Sequence, residues 1–69
     1  MIALRVNGRE REVPEGTGVG ELVALVTGRD EPAGVAVALN GRVVPRSSWR
    51  QTGLQAGDAV EIVQAVQGG

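Results

Sequence analysis

Gly57-Asp58-Ala59-Val60-Glu61-Ile62-Val63-Gln64-Ala65-Val66-Gln67-Gly68-Gly69 is the stretch on which the fold turns. Val60 and Ile62 alternate with Ala59, Glu61 and Val63, which is the period of a strand with one buried face. The strand reads from Ala59 to about Val66, with Val60 and Ile62 toward the core. Gly57 lies in the turn that feeds it, where a positive φ suits glycine. Leu54, just upstream, is placed to plug the core.

The other end of the chain carries a second regular strand. Ile2, Leu4 and Val6 alternate with Ala3 and Arg5. Asn7-Gly8 then predicts a tight hairpin, because both residues tolerate positive φ. The return strand, Arg9 to Val13, is highly charged and fits a sheet edge that must not pair with other chains. Pro14 ends it. Val19, Leu22, Val23 and Val26 follow at helical spacing, with Leu25 beside them. Thr17 is the expected N-cap, Glu21 complements the helix dipole, and Gly28 suits the C-terminal end. Gly18 and Gly20 weaken the first turn.

Val35, Val37 and Leu39 alternate with Ala36 and Ala38, so both faces are small or apolar, as in an interior strand. Asn40-Gly41 marks a second hairpin, whose partner Arg42 to Val44 stops at Pro45. Ser47 or Ser48 is expected to cap a single helical turn, with Trp49 folded back as a lid on the core. The order is therefore hairpin, helix, short hairpin, turn and final strand. Placing the last strand beside the first, in parallel, puts the two most regular strands at the sheet centre. This is an α+β fold of the β-grasp, ubiquitin-like kind. It has a mixed four- to five-stranded sheet, one main helix across one face, a single domain over residues 1–66 and a flexible tail over 67–69.

Composition limits the chemistry. The chain has 69 residues, net charge −1, no Cys and no His, and all seven basic residues are Arg. A domain of this size buries only about 60% of its unfolded surface. Zinc and iron–sulfur ligand sets are absent, as are His-, Cys- and Lys-based nucleophile pairs. The near balance of acids and bases argues against nucleic-acid binding. No apolar run approaches a membrane span, and the N-terminus lacks a signal-peptide pattern. The expectation is a cytoplasmic protein, monomeric when free, that does not act alone as an enzyme: a binding module, a carrier or a structural piece.

One place remains for chemistry: the Gly69 carboxyl. Glycine has no Cβ, so Gly68-Gly69 passes a narrow channel and leaves the carbonyl carbon unhindered. Four extended residues, Val66 to Gly69, reach at most about 13–14 Å. A carboxylate needs activation, and formation of an acyl-adenylate is the usual route. Without Cys, the chain cannot hold a persulfide on a side chain; if it carries sulfur, the seat is the Gly69 carboxyl, as a thiocarboxylate. Without Lys, no side-chain amine captures the activated end.

The residues Val35-Ala36-Val37-Ala38-Leu39-Asn40, Val44-Pro45-Arg46-Ser47 with Trp49, Leu54, Gly57-Asp58, Val60-Glu61-Ile62-Val63, Ala65-Val66 and Gly68-Gly69 together resemble the sulfur carrier proteins of the thiamine pathway (ThiS). The resemblance is strongest over the C-terminal half. It implies a chain that binds no cofactor itself. A ubiquitin-activating-type adenylyltransferase (ThiF) would use ATP and Mg²⁺ to adenylate Gly69. A persulfide donor would supply sulfur, and thiazole synthase (ThiG) would consume the thiocarboxylate. Gly68, Gln67 and Val66 would line the partner's channel; Gln67 stands where the family often has a small residue. Ala36, Ala38 and Val63 would form a docking surface on the sheet face away from the helix. The small subunit of molybdopterin synthase, carriers for tRNA thiolation or cysteine synthesis, and protein modifiers remain alternatives.

Overall fold

Hydrogen-bond pairing places the two regular strands where their alternation predicts. The computed structural model describes residues 1–30 and 32–65. The elements run β1 (Ile2–Val6), β2 (Arg9–Val13), α1 (Val19–Thr27), β3 (Val35–Leu39), β4 (Arg42–Val44), a 3₁₀ helix (Arg46–Gln51) and β5 (Ala59–Gln64). The five strands form one sheet in the order β2-β1-β5-β3-β4. β1 and β5 are parallel, with Val6 beside Val60, and the other pairs are antiparallel. The charged β2 stands at an edge. Both hairpins turn on Asn-Gly with positive φ at each residue, 51° and 82° at Asn7-Gly8 and 51° and 86° at Asn40-Gly41. Those signs match the twist of the flanking strands.

One core fills the space between sheet and helix. Leu4, Val6, Val37, Val60 and Ile62 from the sheet meet Val19, Leu22 and Val23 from α1, with Val13, Trp49 and Leu54 at the margins. Trp49 is the lid that the sequence suggests: its indole Nε1–H donates to the Val44 carbonyl at 3.0 Å. Val26 departs from expectation and keeps 36% of its surface exposed. The register explains this. Arg11 stands opposite Leu4 and Arg9 opposite Val6, so the helix side of β2 offers guanidinium stems where Val26 would need apolar cover.

Two helix starts also differ from the reading. Gly18, not Thr17, is the N-cap of α1. The Gly18 N–H donates to Glu21 Oε1 at 2.9 Å, and the Gly18 carbonyl accepts from Leu22 N–H. A tertiary contact decides the matter. The Val19 N–H donates to Thr52 O and the Leu54 N–H to Thr17 O, so the chain around Gly18 bridges the chain around Gly53. A Cβ at Gly18 would lie 3.2 Å from Thr52 O. The Thr17 hydroxyl instead donates to the Pro14 carbonyl at 2.6 Å, and Thr17 is buried. The 3₁₀ helix likewise starts after Pro45 with no side-chain cap. The Ser48 N–H donates to Pro45 O, and Ser48 O accepts from the Thr52 hydroxyl, so neither serine caps it.

Gly20 is a different case from Gly18. A Cβ there would meet Trp49 Cβ at 3.7 Å, an ordinary contact. Gly20→Ala is therefore expected to stabilise the domain by about 0.4–1 kcal/mol, by restricting the unfolded chain and favouring helix. Urea unfolding followed by circular dichroism checks this as a raised midpoint with unchanged slope.

Candidate functional site, the open sheet face and the root of the tail

α1 covers one face of the sheet; the register identifies what the other carries. Residues directly opposite one another across paired strands share a face. Ala36 pairs with Val63, Ala38 with Glu61 on one side and Val43 on the other, and Arg5 with Glu10 and Ala59. The open face thus holds Ala36, Ala38, Val43 and Val63 as an apolar strip. Glu61 lies within it, and Arg5, Glu10 and Glu12 lie toward β2. Val63 is 59% exposed and Val43 76%. Ala36 is exposed and Ala38 half-buried.

The three expected docking residues therefore do lie together on one face. Val43 belongs with them and was not among the expected docking residues. Its signal was present: with Val44 facing the core, strand alternation turns Val43 outward. Arg46 is committed elsewhere, donating to Pro32 O at 2.9 Å with its guanidinium 5.7 Å from the centre of the Trp49 ring.

The strip lies at the end of β5 from which the chain continues. β5 is the central strand, and at its C-terminal end the Ala65 N–H donates to Gly34 O. The expected functional residues Val66, Gln67, Gly68 and Gly69 lie outside the described residues, as does the expected flexible tail over 67–69.

Two side-chain amides grip β5. Asn7 Nδ2–H donates to the Ile62 carbonyl at 3.1 Å, and Asn7 Oδ1 accepts from the Ile62 N–H at 2.8 Å. From the other side, Asn40 Oδ1 accepts from the Ala59 N–H at 2.9 Å, and Asn40 Nδ2–H donates to Asp58 Oδ1 at 3.0 Å. Both residues belong to the Asn-Gly turns, and the reading from turn chemistry alone did not reach this second role. Among the described residues no cluster of three or more His, Cys, Asp or Glu side chains could hold a metal ion. No described helix is long and apolar enough to cross a membrane.

Comparison with known proteins gives a consistent result. A family model described as the ThiS family matches residues 4–69. The sulfur carrier protein ThiS of Escherichia coli (strain K12) is 35% identical over 63 residues, covering 91% of this chain and 92% of that protein. The crystal structure of the thiamine biosynthesis protein ThiS from Geobacter metallireducens superposes with a TM-score of 0.80 at 34% identity, covering 99% of this chain and 100% of that one. The NMR solution structure of a thiamine biosynthesis protein from the same organism gives the same score and identity, covering 99% of this chain and 88% of that one.

Proposed function

Because the chain belongs to the ThiS family of sulfur carrier proteins, we propose that it serves thiamine biosynthesis by carrying sulfur on the carboxyl of Gly69. The observation that supports this most is the placement of β5. A central strand, paired on both sides, ends at Gln64 and runs on within five residues to Gly68-Gly69. Residues 1–66 then act as the rigid holder and residues 67–69 as the tail that enters a partner.

In this reading the Gly69 carboxylate attacks the α-phosphorus of ATP, bound with Mg²⁺ by an adenylyltransferase of the ThiF type. Pyrophosphate leaves and an acyl-adenylate forms. The terminal sulfur of a persulfide donor then attacks the acyl carbon and displaces AMP, giving an acyl disulfide with the donor. A second thiol attacks the donor sulfur and breaks the S–S bond, so that a disulfide leaves and Gly69 keeps the sulfur as a thiocarboxylate. Thiazole synthase of the ThiG type consumes that sulfur. The chain itself contributes position and not catalysis: Gly68 gives passage, and Gln67 and Val66 line the channel. The strip of Ala36, Ala38, Val43 and Val63 seats the domain on its partner.

Incubation with the host adenylyltransferase, ATP, Mg²⁺ and a sulfur donor, followed by intact mass measurement, tests the proposal. The expected result is a gain of one sulfur and loss of one oxygen. An unchanged mass overturns it, and a ladder of conjugates on other proteins would favour a modifier instead. Thiamine auxotrophy on deletion of the gene separates the thiazole pathway from molybdopterin synthesis.

The docking surface has its own test. Val63→Asp places a charge in the apolar strip, where docking would have to desolvate the carboxylate. The expected outcome is a rise of about 10–100-fold in the KM of the adenylyltransferase for the carrier. Val63 is exposed in the free domain, so thermal stability should change by less than about 0.5 kcal/mol. An unchanged KM would remove Val63 from the interface.

A further inference from the structure

The strand that feeds the tail is supported unequally on its two sides. Toward β3 it is held by five paired residues, Val35 to Leu39 against Gln64 to Val60, and by the bond from Ala65 N–H to Gly34 O. Toward β1 the backbone pairing covers only Arg5 with Ala59 and Val6 with Val60. The last backbone bond on that side runs from Asn7 N–H to Val60 O at 2.9 Å. The next residue of β5 whose N–H and C=O face β1 is Ile62, two positions on. By then β1 has turned away at Asn7-Gly8 into its hairpin.

The Asn7 side chain occupies the missing rung. Its amide carries a donor and an acceptor in the same arrangement as a peptide group. It returns both bonds that a continuing β1 would make to Ile62, at 3.1 and 2.8 Å, across a sequence separation of 55 residues. The left-handed φ of 51° at Asn7 sets the turn from which the side chain reaches β5. Asn is the residue type that accepts this φ and also supplies an amide. Beyond Ile62, no described backbone bond holds β5 from the β1 side. Asn7 is thus the final tie on that side before the chain leaves the sheet.

We propose that Asn7 is a positioning residue for the C-terminal tail: its amide fixes the end of β5, and with it the direction in which Gly69 is presented to the activating enzyme. The proposal rests on the sulfur-carrier reading. It assigns Asn7 a role beyond closing a hairpin, and one separate from the docking strip on the open face. Carrier residues that dock and residues that aim the tail should then have different kinetic signatures. Loss of docking raises KM. Loss of aim lowers kcat, because the domain still seats while the carboxylate spends less time in line with the α-phosphorus.

Asn7→Gly isolates the amide, since glycine keeps the positive φ of the turn. In the full-length protein, ¹⁵N relaxation is expected to show lower order parameters at Ile62 to Ala65, with the β1–β2 hairpin unchanged. In adenylation by the host enzyme, kcat is expected to fall about 10-fold while KM moves less than about twofold. Val13→Ala is the control: it weakens the core near the β2 edge and should lower stability without changing kcat. Should Asn7→Gly fail to fold, Asn7→Asp keeps the turn but sets a carboxylate oxygen against the Ile62 carbonyl, and the same losses are expected. Wild-type order parameters at residues 62–65 together with wild-type kcat in the variant overturn the proposal. If the unsubstituted protein is never adenylated, the sulfur-carrier reading falls, and the relaxation measurement alone still decides whether Asn7 fixes the strand end.

Discussion

Trp49→Ala is expected to remove from about a third to all of the domain's stability. The side chain is 1% exposed and is the largest in the core. Truncating a buried Trp to Ala costs about 3–5 kcal/mol in transfer and cavity terms. At about 0.05–0.15 kcal/mol per residue, a 69-residue domain has only about 3–10 kcal/mol to lose. The substitution also removes the donor to the Val44 carbonyl. Trp49→Phe separates these effects: it keeps most of the ring volume and loses the N–H, for a cost of about 1–3 kcal/mol. Trp49 is the only aromatic residue in the chain, so unfolding must be followed by circular dichroism and not by fluorescence. A denaturation midpoint for Trp49→Ala near that of the unsubstituted protein would show that the lid contributes little.

What could be read in advance depended on whether the cause was local or long-range. β1 and β5 were legible because apolar residues at every second position leave a strand one way to face a core. Their parallel pairing followed from the need to centre them. Both Asn-Gly turns followed from backbone preference. The misreadings come from contacts distant in sequence. Thr17 is a good capping residue by type, but the bridge between Gly18 and Gly53 sets Thr52 O 3.2 Å from where a Cβ at Gly18 would stand and moves the cap by one residue. Val26 has helical spacing with the core residues, yet the strand opposite it offers Arg9 and Arg11. The amides of Asn7 and Asn40 reach β5 across separations of 55 and 19 residues. No local pattern encodes such a bond. In the site, Ala36, Ala38 and Val63 follow from alternation, and Val43 would have followed from the same rule applied to a three-residue strand.

Deletion of Gly69 is expected to abolish thiocarboxylate formation while leaving thermal unfolding unchanged. The core residues run from Leu4 to Ile62, so the deletion touches none of them. The shortened chain still ends in a glycine carboxylate, now that of Gly68, so the effect is one of reach and not of chemistry. One extended residue contributes about 3.3–3.6 Å. In-line attack on a phosphorus tolerates far less, since a misplacement of about 1 Å already costs about 100-fold. The deletion variant retains the docking strip, so it should inhibit activation of the full-length protein competitively, with an inhibition constant close to the KM of the substrate it mimics. A Gly69 carboxamide gives the complementary case, with full reach but no carboxylate oxygen to attack ATP, and should likewise bind without reacting. No Lys or Cys elsewhere in the chain offers a second seat for the acyl or sulfur group. A sulfur-for-oxygen mass gain in the deletion variant at the rate of the full-length protein would show that the activating site accepts the Gly68 carboxylate and that reach does not limit the reaction.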